Sequence, residues 1–97
     1  MEIITVVEGR VPASKSTDFE ESFKSLKRDP VVPGLVRITL LRNGKDLGIY
    51  RIETVWRDRE ALEKMRSSPQ TPKALELFQK IGVSPDLEMY LVVDDLH

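Results

Sequence analysis

The 97-residue sequence contains no cysteine, which excludes disulfides, thiolate nucleophiles and cysteine-ligated zinc or iron–sulfur sites. Histidine is almost as scarce. The single one, His97, is the last residue, so metal or haem ligation inside the fold has little to stand on. Charge of one sign is also lacking: 15 basic against 16 acidic residues leave a net charge of -1, with no broad field to draw in nucleic acid or anionic lipid. No apolar run approaches the ~20 residues of a membrane span. The start, MEIITVVEGR, has no basic segment ahead of a signal-type apolar core. The expectation is a single cytoplasmic domain over residues 1–97, with no membrane or nucleic-acid partner. No phosphate-binding glycine motif occurs either, so no metal, flavin or haem is expected to co-purify at stoichiometric level.

What is present is an orderly run of elements. Glu2 to Val11 is rich in Ile, Val and Thr without a helical stripe, a strand that Pro12 ends. Thr17-Asp18-Phe19-Glu20 fits a capping box, with Thr17 as N-cap and Glu20 at N3. Phe19, Phe23 and Leu26 then form one apolar stripe on a helix that Asp29-Pro30 stops. Pro33-Gly34 reads as a turn into Leu35–Arg42, which alternates Val36, Ile38 and Leu40 with Arg37, Thr39 and Leu41. Asn43-Gly44 begins the return. Gly48–Trp56 divides likewise into Tyr50, Ile52, Thr54 and Trp56 against Ile49, Arg51, Glu53 and Val55, which completes a hairpin.

Charge selects a register for that hairpin. Setting Arg37 opposite Glu53 and Thr39 opposite Arg51 avoids an Arg37–Arg51 repulsion. It also places Val36 against Thr54, Ile38 against Ile52 and Leu40 against Tyr50, a continuous apolar face. Asp58 is a good N-cap for a short helix carrying Ala61, Leu62 and Met65. After Ser67-Ser68-Pro69, Thr71-Pro72 opens another helix, with Leu75, Phe78 and Ile81 inward and Gly82 as its C′ residue. A last strand, Asp86 to Asp95, follows Pro85.

The order β-α-β-β-α-α-β is the split βαβ arrangement of a ferredoxin-like α+β fold, an antiparallel sheet with its helices on one face. The other face carries Arg37, Thr39, Leu41, Arg51, Glu53 and Val55, too apolar for an ordinary solvated face and too charged for a core. A second copy of the sheet would bury the apolar members, pair the charges and close a dimeric α+β barrel across a two-fold axis. The alternative is a monomer with an open, half-polar sheet. A homodimer through this face is the expectation.

Pro33-Gly34-Leu35, Leu40-Leu41-Arg42, the aromatic at Tyr50, Thr54-Val55-Trp56, and Glu60-Ala61-Leu62 followed by Ser67-Ser68 resemble the antibiotic biosynthesis monooxygenase family over nearly the whole chain. The resemblance implies a dimeric α+β barrel with a pocket between sheet and helices in each subunit. It also implies a spread of activities. Some members oxidise aromatic polyketide hydroquinones or anthrones without metal or flavin, related enzymes degrade haem, and others have no established reaction; fold does not decide among these. The haem-degrading relatives need an asparagine on the first strand and a histidine on the helix after the tryptophan. Here Val6 to Gly9 contains no Asn and Glu60 to Lys80 no His. Many members also place a histidine before the small-residue segment, where Met65-Arg66 stands in this chain.

A cofactor-free oxygenase must deprotonate an electron-rich phenol or activated carbon, hold the anion, and let dioxygen reach it in a dry pocket. Trp56, Tyr50, Phe19, Phe23 and Met65 belong to the expected sheet–helix interface and would wall such a pocket, although residues at these spacings are more often buried as ordinary core, and Trp56 is a core anchor first and a pocket wall second. Trp56 leans further towards the pocket than the others because it ends its strand just before Asp58 caps the next helix, where sheet and helix diverge. Tyr90 is a candidate donor to a substrate oxygen, or an edge-of-core tyrosine. Arg37, Arg51 and Glu53 read as an interface charge network rather than a ligand site. No residue presents itself as the catalytic base. The first functional reading is a cofactor-independent monooxygenase acting on a small aromatic, quinol- or anthrone-like substrate. The second is a non-catalytic dimeric small-molecule binding or regulatory module of the same fold. A haem-binding variant is a third, with less in the sequence behind it.

Overall fold

A computed structural model describes residues 1–29 and 32–96 of the chain. Four strands, β1 (Ile3–Arg10), β2 (Leu35–Arg42), β3 (Ile49–Trp56) and β4 (Asp86–Leu91), form one antiparallel sheet in the order β2-β3-β1-β4. Three helices, α1 (Ser16–Lys24), α2 (Arg59–Arg66) and α3 (Lys73–Gln79), complete the ferredoxin-like α+β fold. Among the described residues no helix is long and apolar enough to cross a membrane.

The hairpin register differs from the one that charge alone selects. Thr39, not Arg37, stands opposite Glu53, Ile38 faces Thr54, Leu40 faces Ile52 and Arg42 faces Tyr50. The displacement is two residues, so each side chain keeps its face. It is set at the turn, where Asn43 N–H donates to the Ile49 carbonyl at 2.9 Å. At the far end a bulge between Leu35 and Arg37 shifts the pairing by one residue, so that Leu35 pairs with Trp56 and Val36 is the extra residue, left 47% exposed. Leu35 therefore takes the core-side place that strict alternation assigns to Val36. The Arg37–Arg51 repulsion is avoided in this register too, because Leu41 stands opposite Arg51.

Helix starts depart from the sequence expectation in two places. A 3₁₀ turn at Ala13–Lys15 feeds helical backbone straight into α1, so the Thr17–Glu20 capping box does not form. Glu20 instead accepts a hydrogen bond from the buried Tyr50 hydroxyl, a tertiary demand that outweighs the local cap. In α3 the capping position falls on Pro72 rather than Thr71, with no side-chain cap bond. The far end matches expectation: Gly82 has φ +75°, and Val83 N–H donates to the Phe78 carbonyl at 3.0 Å, closing a Schellman motif. Past α1 a 3₁₀ turn, Ser25–Arg28, ends in extended Asp29, and the expected stop at Pro30 lies outside the described residues, as does His97. β4 ends at Leu91, four residues short of the expected Asp95.

Asp58 does cap α2, its carboxylate accepting from Ala61 N–H at 2.9 Å. That backbone bond, aided by Arg57, holds the Asp58 carboxyl below its usual range. A lowered folded value means the stabilisation is present above the ordinary aspartate value of ~3.9 and is lost as pH falls through the folded one. Asp58→Ala is therefore expected to lower stability at neutral pH and to narrow the gap to the parent protein in acid, while Asp58→Asn keeps most of the cap. Thermal melts from neutral pH into the acid range check this; a gap constant with pH would contradict it.

The helix-side core divides into two packed clusters. Phe19, Tyr50 and Phe78 centre the first, with Phe19–Tyr50 and Phe19–Phe78 ring centroids 5.2 and 4.8 Å apart. Trp56, Ile3, Ala61 and Leu62 make the second, with Leu35 and Met65 packed against it.

Candidate functional site

The strand registers place helix-side residues in rows across the sheet. One row is Leu35–Trp56–Ile3–Leu91 and another Leu40–Ile52–Val7–Leu87, both made of large apolar residues. Between them runs Ile38–Thr54–Thr5–Met89, whose two central members are small. The space beside these small residues is bordered by the end of α2, at Met65 and Arg66, and the start of α3, at Lys73 and Leu75. This cavity, of about 340 Å³, is floored by Thr5 and Thr54 and walled by Trp56, Leu35, Ile38, Met65 and Leu75.

Polar groups there are few. Trp56 is 4% exposed, and its indole N–H donates to Thr5 Oγ1 at 3.3 Å. With that oxygen accepting, the Thr5 hydroxyl keeps its own hydrogen as a donor. Arg66, Lys73 and Glu88 also border the cavity. The Glu88 carboxylate, however, accepts from Tyr90 on the helix-free face, where both residues are placed by pairing with Val6 and Ile4. No histidine lines the space among the described residues, and no group of three His, Cys, Asp or Glu there could hold a metal ion. For haem, the lining offers only the thioethers of Met65 and Met89 and neither the His, Cys nor Tyr that carries haem iron as a principal axial ligand, so its residues do not fit that group.

The aromatic and Met residues expected around a pocket fall in three places. Trp56 and Met65 line the cavity. Tyr50, Phe19 and Phe23 belong to the other packed cluster and do not border it. Tyr50 is also committed elsewhere: Arg42 lies over its ring, 5.2 Å from the centroid, and burial followed by the Glu20 contact raises its pKa. Tyr90 sits on the helix-free face, 48% exposed, with its pKa raised by the hydrogen bond to Glu88. Neither tyrosine is a base at neutral pH. Thr5, Thr54, Arg66 and Lys73 line the cavity although sequence reasoning assigns none of them to a pocket; for the two threonines the cue available was their small size beside large apolar neighbours on the same face.

On the helix-free face Arg37, Thr39 and Leu41 of β2 lie beside Arg51, Glu53 and Val55 of β3. Arg51 bridges Glu8 at 3.0 Å and Glu53 at 3.6 Å, and Arg37 takes no part in that network. Val55 is 4% exposed within a single chain, while Leu41 is 40% exposed.

A sequence profile described as antibiotic biosynthesis monooxygenase matches residues 2–77. The chain belongs to the antibiotic biosynthesis monooxygenase family. Its fold is similar to that of a mutant of SnoaB, a cofactor-independent oxygenase from Streptomyces nogalater, at 25% identity, TM-score 0.75 and coverage of 98% of this chain and 96% of that one. The haem degrader MhuD from Mycobacterium tuberculosis, with two haems bound in its active site, superposes with TM-score 0.74 at 21% identity over 98% and 99% of the two chains. A conserved protein from Methanosarcina mazei Go1 gives TM-score 0.73 at 18% identity over 93% and 91%. A search of curated protein sequences returns no match.

Proposed function

We propose that this family member binds a small planar aromatic molecule in the cavity and oxidises it as a cofactor-independent monooxygenase, with a quinol- or anthrone-like substrate. The observation that carries the reading is an apolar space of about 340 Å³ beside Trp56, with hydroxyls on its floor and a likeness to the cofactor-independent oxygenase SnoaB. Trp56, Leu35 and Ile38 would hold the rings, and the Thr5 hydroxyl would donate to a substrate oxygen. One atom of dioxygen then enters the ring carbon and the other leaves as water. All four electrons come from the substrate, so a quinol becomes a hydroxyquinone and no external reductant is needed. The walls supply no imidazole or inward carboxylate, so the substrate would react as its own anion, and the protein's part is to orient it and exclude water.

Oxygen uptake with product mass spectrometry, using 1,4-dihydroxynaphthalene and anthrone, tests this. Saturable uptake above autoxidation that weakens in Thr5→Val is expected. The missing base favours one further reading, a non-catalytic binding module, which predicts binding of the same aromatics with no oxygen consumed.

The same proposal includes a homodimer through the helix-free face, supported by half-exposed Leu41 and Thr39 beside the Glu8–Arg51–Glu53 network. Light scattering at tens of micromolar is expected to give twice the chain mass. Glu53→Lys would set a cation beside Arg51 and raise the dimer dissociation constant on the order of tenfold or more. A monomeric parent, or unchanged association of a folded Glu53→Lys variant, would count against this interface.

A further inference from the structure

We infer that Arg66 and Lys73 make the cavity selective for aromatic ligands carrying an anionic group, a carboxylate or an ionised phenol. The inference rests on the aromatic-cavity reading above and narrows its ligand class. Arg66 is the last residue of α2 and Lys73 the first of α3, so the two flank the connection between these helices, and both border the cavity. Among the described residues the one carboxylate-bearing residue on the lining, Glu88, has its carboxylate engaged by Tyr90 on the opposite face. The side chains facing an incoming ligand are thus apolar groups, hydroxyls and two cations.

Arg66 does not simply extend into solvent. Its Nη2 reaches Met89 Sδ on β4 at 3.7 Å, which carries the guanidinium from the helix layer to the sheet edge beside the cavity. A thioether is a weak acceptor, and a carboxylate offers the same fork of N–H donors a charge-assisted, bidentate partner. The present partners of the two cations are modest: Glu63 lies 3.7 Å from Arg66 and Asp29 3.5 Å from Lys73, with the cationic side chains about half exposed at 48% and 52%. Such pairs are weak and screened by salt. An anion held against the apolar wall, with less water around it, competes well for both cations.

The test uses the chain's single tryptophan, which lines the cavity, as its reporter. Fluorescence quenching by 2-naphthoate is compared with quenching by 2-naphthamide, a neutral molecule of nearly the same shape. At low salt the naphthoate is expected to bind about tenfold or more tightly, with the gap closing as salt rises. Arg66→Gln and Lys73→Gln should each shrink the gap several-fold and leave naphthamide binding unchanged. Glu63→Gln, which releases Arg66 from its carboxylate, should tighten naphthoate binding, a gain that damage to the fold would not produce. Equal affinities for the two ligands in the parent, or variants that weaken both alike, overturn the charge selection and leave the aromatic cavity standing. Quenching by neither ligand overturns both.

Discussion

Gly34→Ala is expected to destabilise the protein by roughly 2–5 kcal/mol, adding ~1–2 for a left-handed backbone with a Cβ to ~1–3 for overpacking. Gly34 holds φ +82°, and a Cβ built there would lie 2.3 Å from the Ala61 Cβ. Neither side can give easily. Ala61 is 4% exposed on α2, and the Gly34 carbonyl accepts from Arg57 N–H at 2.8 Å, tying the start of β2 to the chain between β3 and α2. Denaturant melts measure the loss. Adding Ala61→Gly removes the methyl that is struck, so the double variant should be more stable than the sum of the single losses predicts, despite the ~1 kcal/mol helix cost of glycine. A Gly34→Ala protein within ~0.5 kcal/mol of the parent, the range of an ordinary surface change, would contradict this account of the turn.

Trp56→Ala is expected to cost ~3–5 kcal/mol, and Trp56→Phe ~1–2, because the indole is almost wholly buried against Ile3, Ala61 and Leu62. These losses follow from packing alone. The proposed role at the cavity adds a second effect: Trp56→Phe also removes the N–H that the Thr5 hydroxyl accepts, so that hydroxyl is no longer held in place for a ligand. Calorimetric titration of 2-naphthoate should therefore show Trp56→Phe losing several-fold in affinity at temperatures where it remains folded. Unchanged affinity in a folded Trp56→Phe protein would leave Trp56 as a packing residue only.

Much of this architecture is legible in the residues themselves. Alternation in β2 and β3 assigns faces, Asp58 and Gly82 mark helix ends, and the order of elements defines the split βαβ topology. What escapes is decided by contacts between elements. The capping box at Thr17 is locally sound, yet Glu20 is taken by Tyr50 from across the core. The turn after Arg42 sets a hairpin register two residues from the charge-paired one, which a charge-pairing argument confined to two strands cannot detect because either register avoids the arginine repulsion. Aromatic residues draw attention as pocket walls, but Phe19, Tyr50 and Phe78 pack on one another and leave no room. The space lies where side chains are small, over Thr5 and Thr54, and a void has no residue of its own to announce it.

The division of the core into two clusters separated by that void bears on how the molecule opens. α2 is anchored by Ala61 and Leu62 within the Trp56 cluster, whereas α1 and α3 are anchored by Phe19, Leu77 and Phe78 in the other. With little packing across the gap, α2 can lift away while the second unit keeps its contacts, so its amides should exchange with solvent through a partial opening rather than full unfolding. A molecule seated between the clusters touches both, and occupancy would join two loosely coupled units into one cooperative whole.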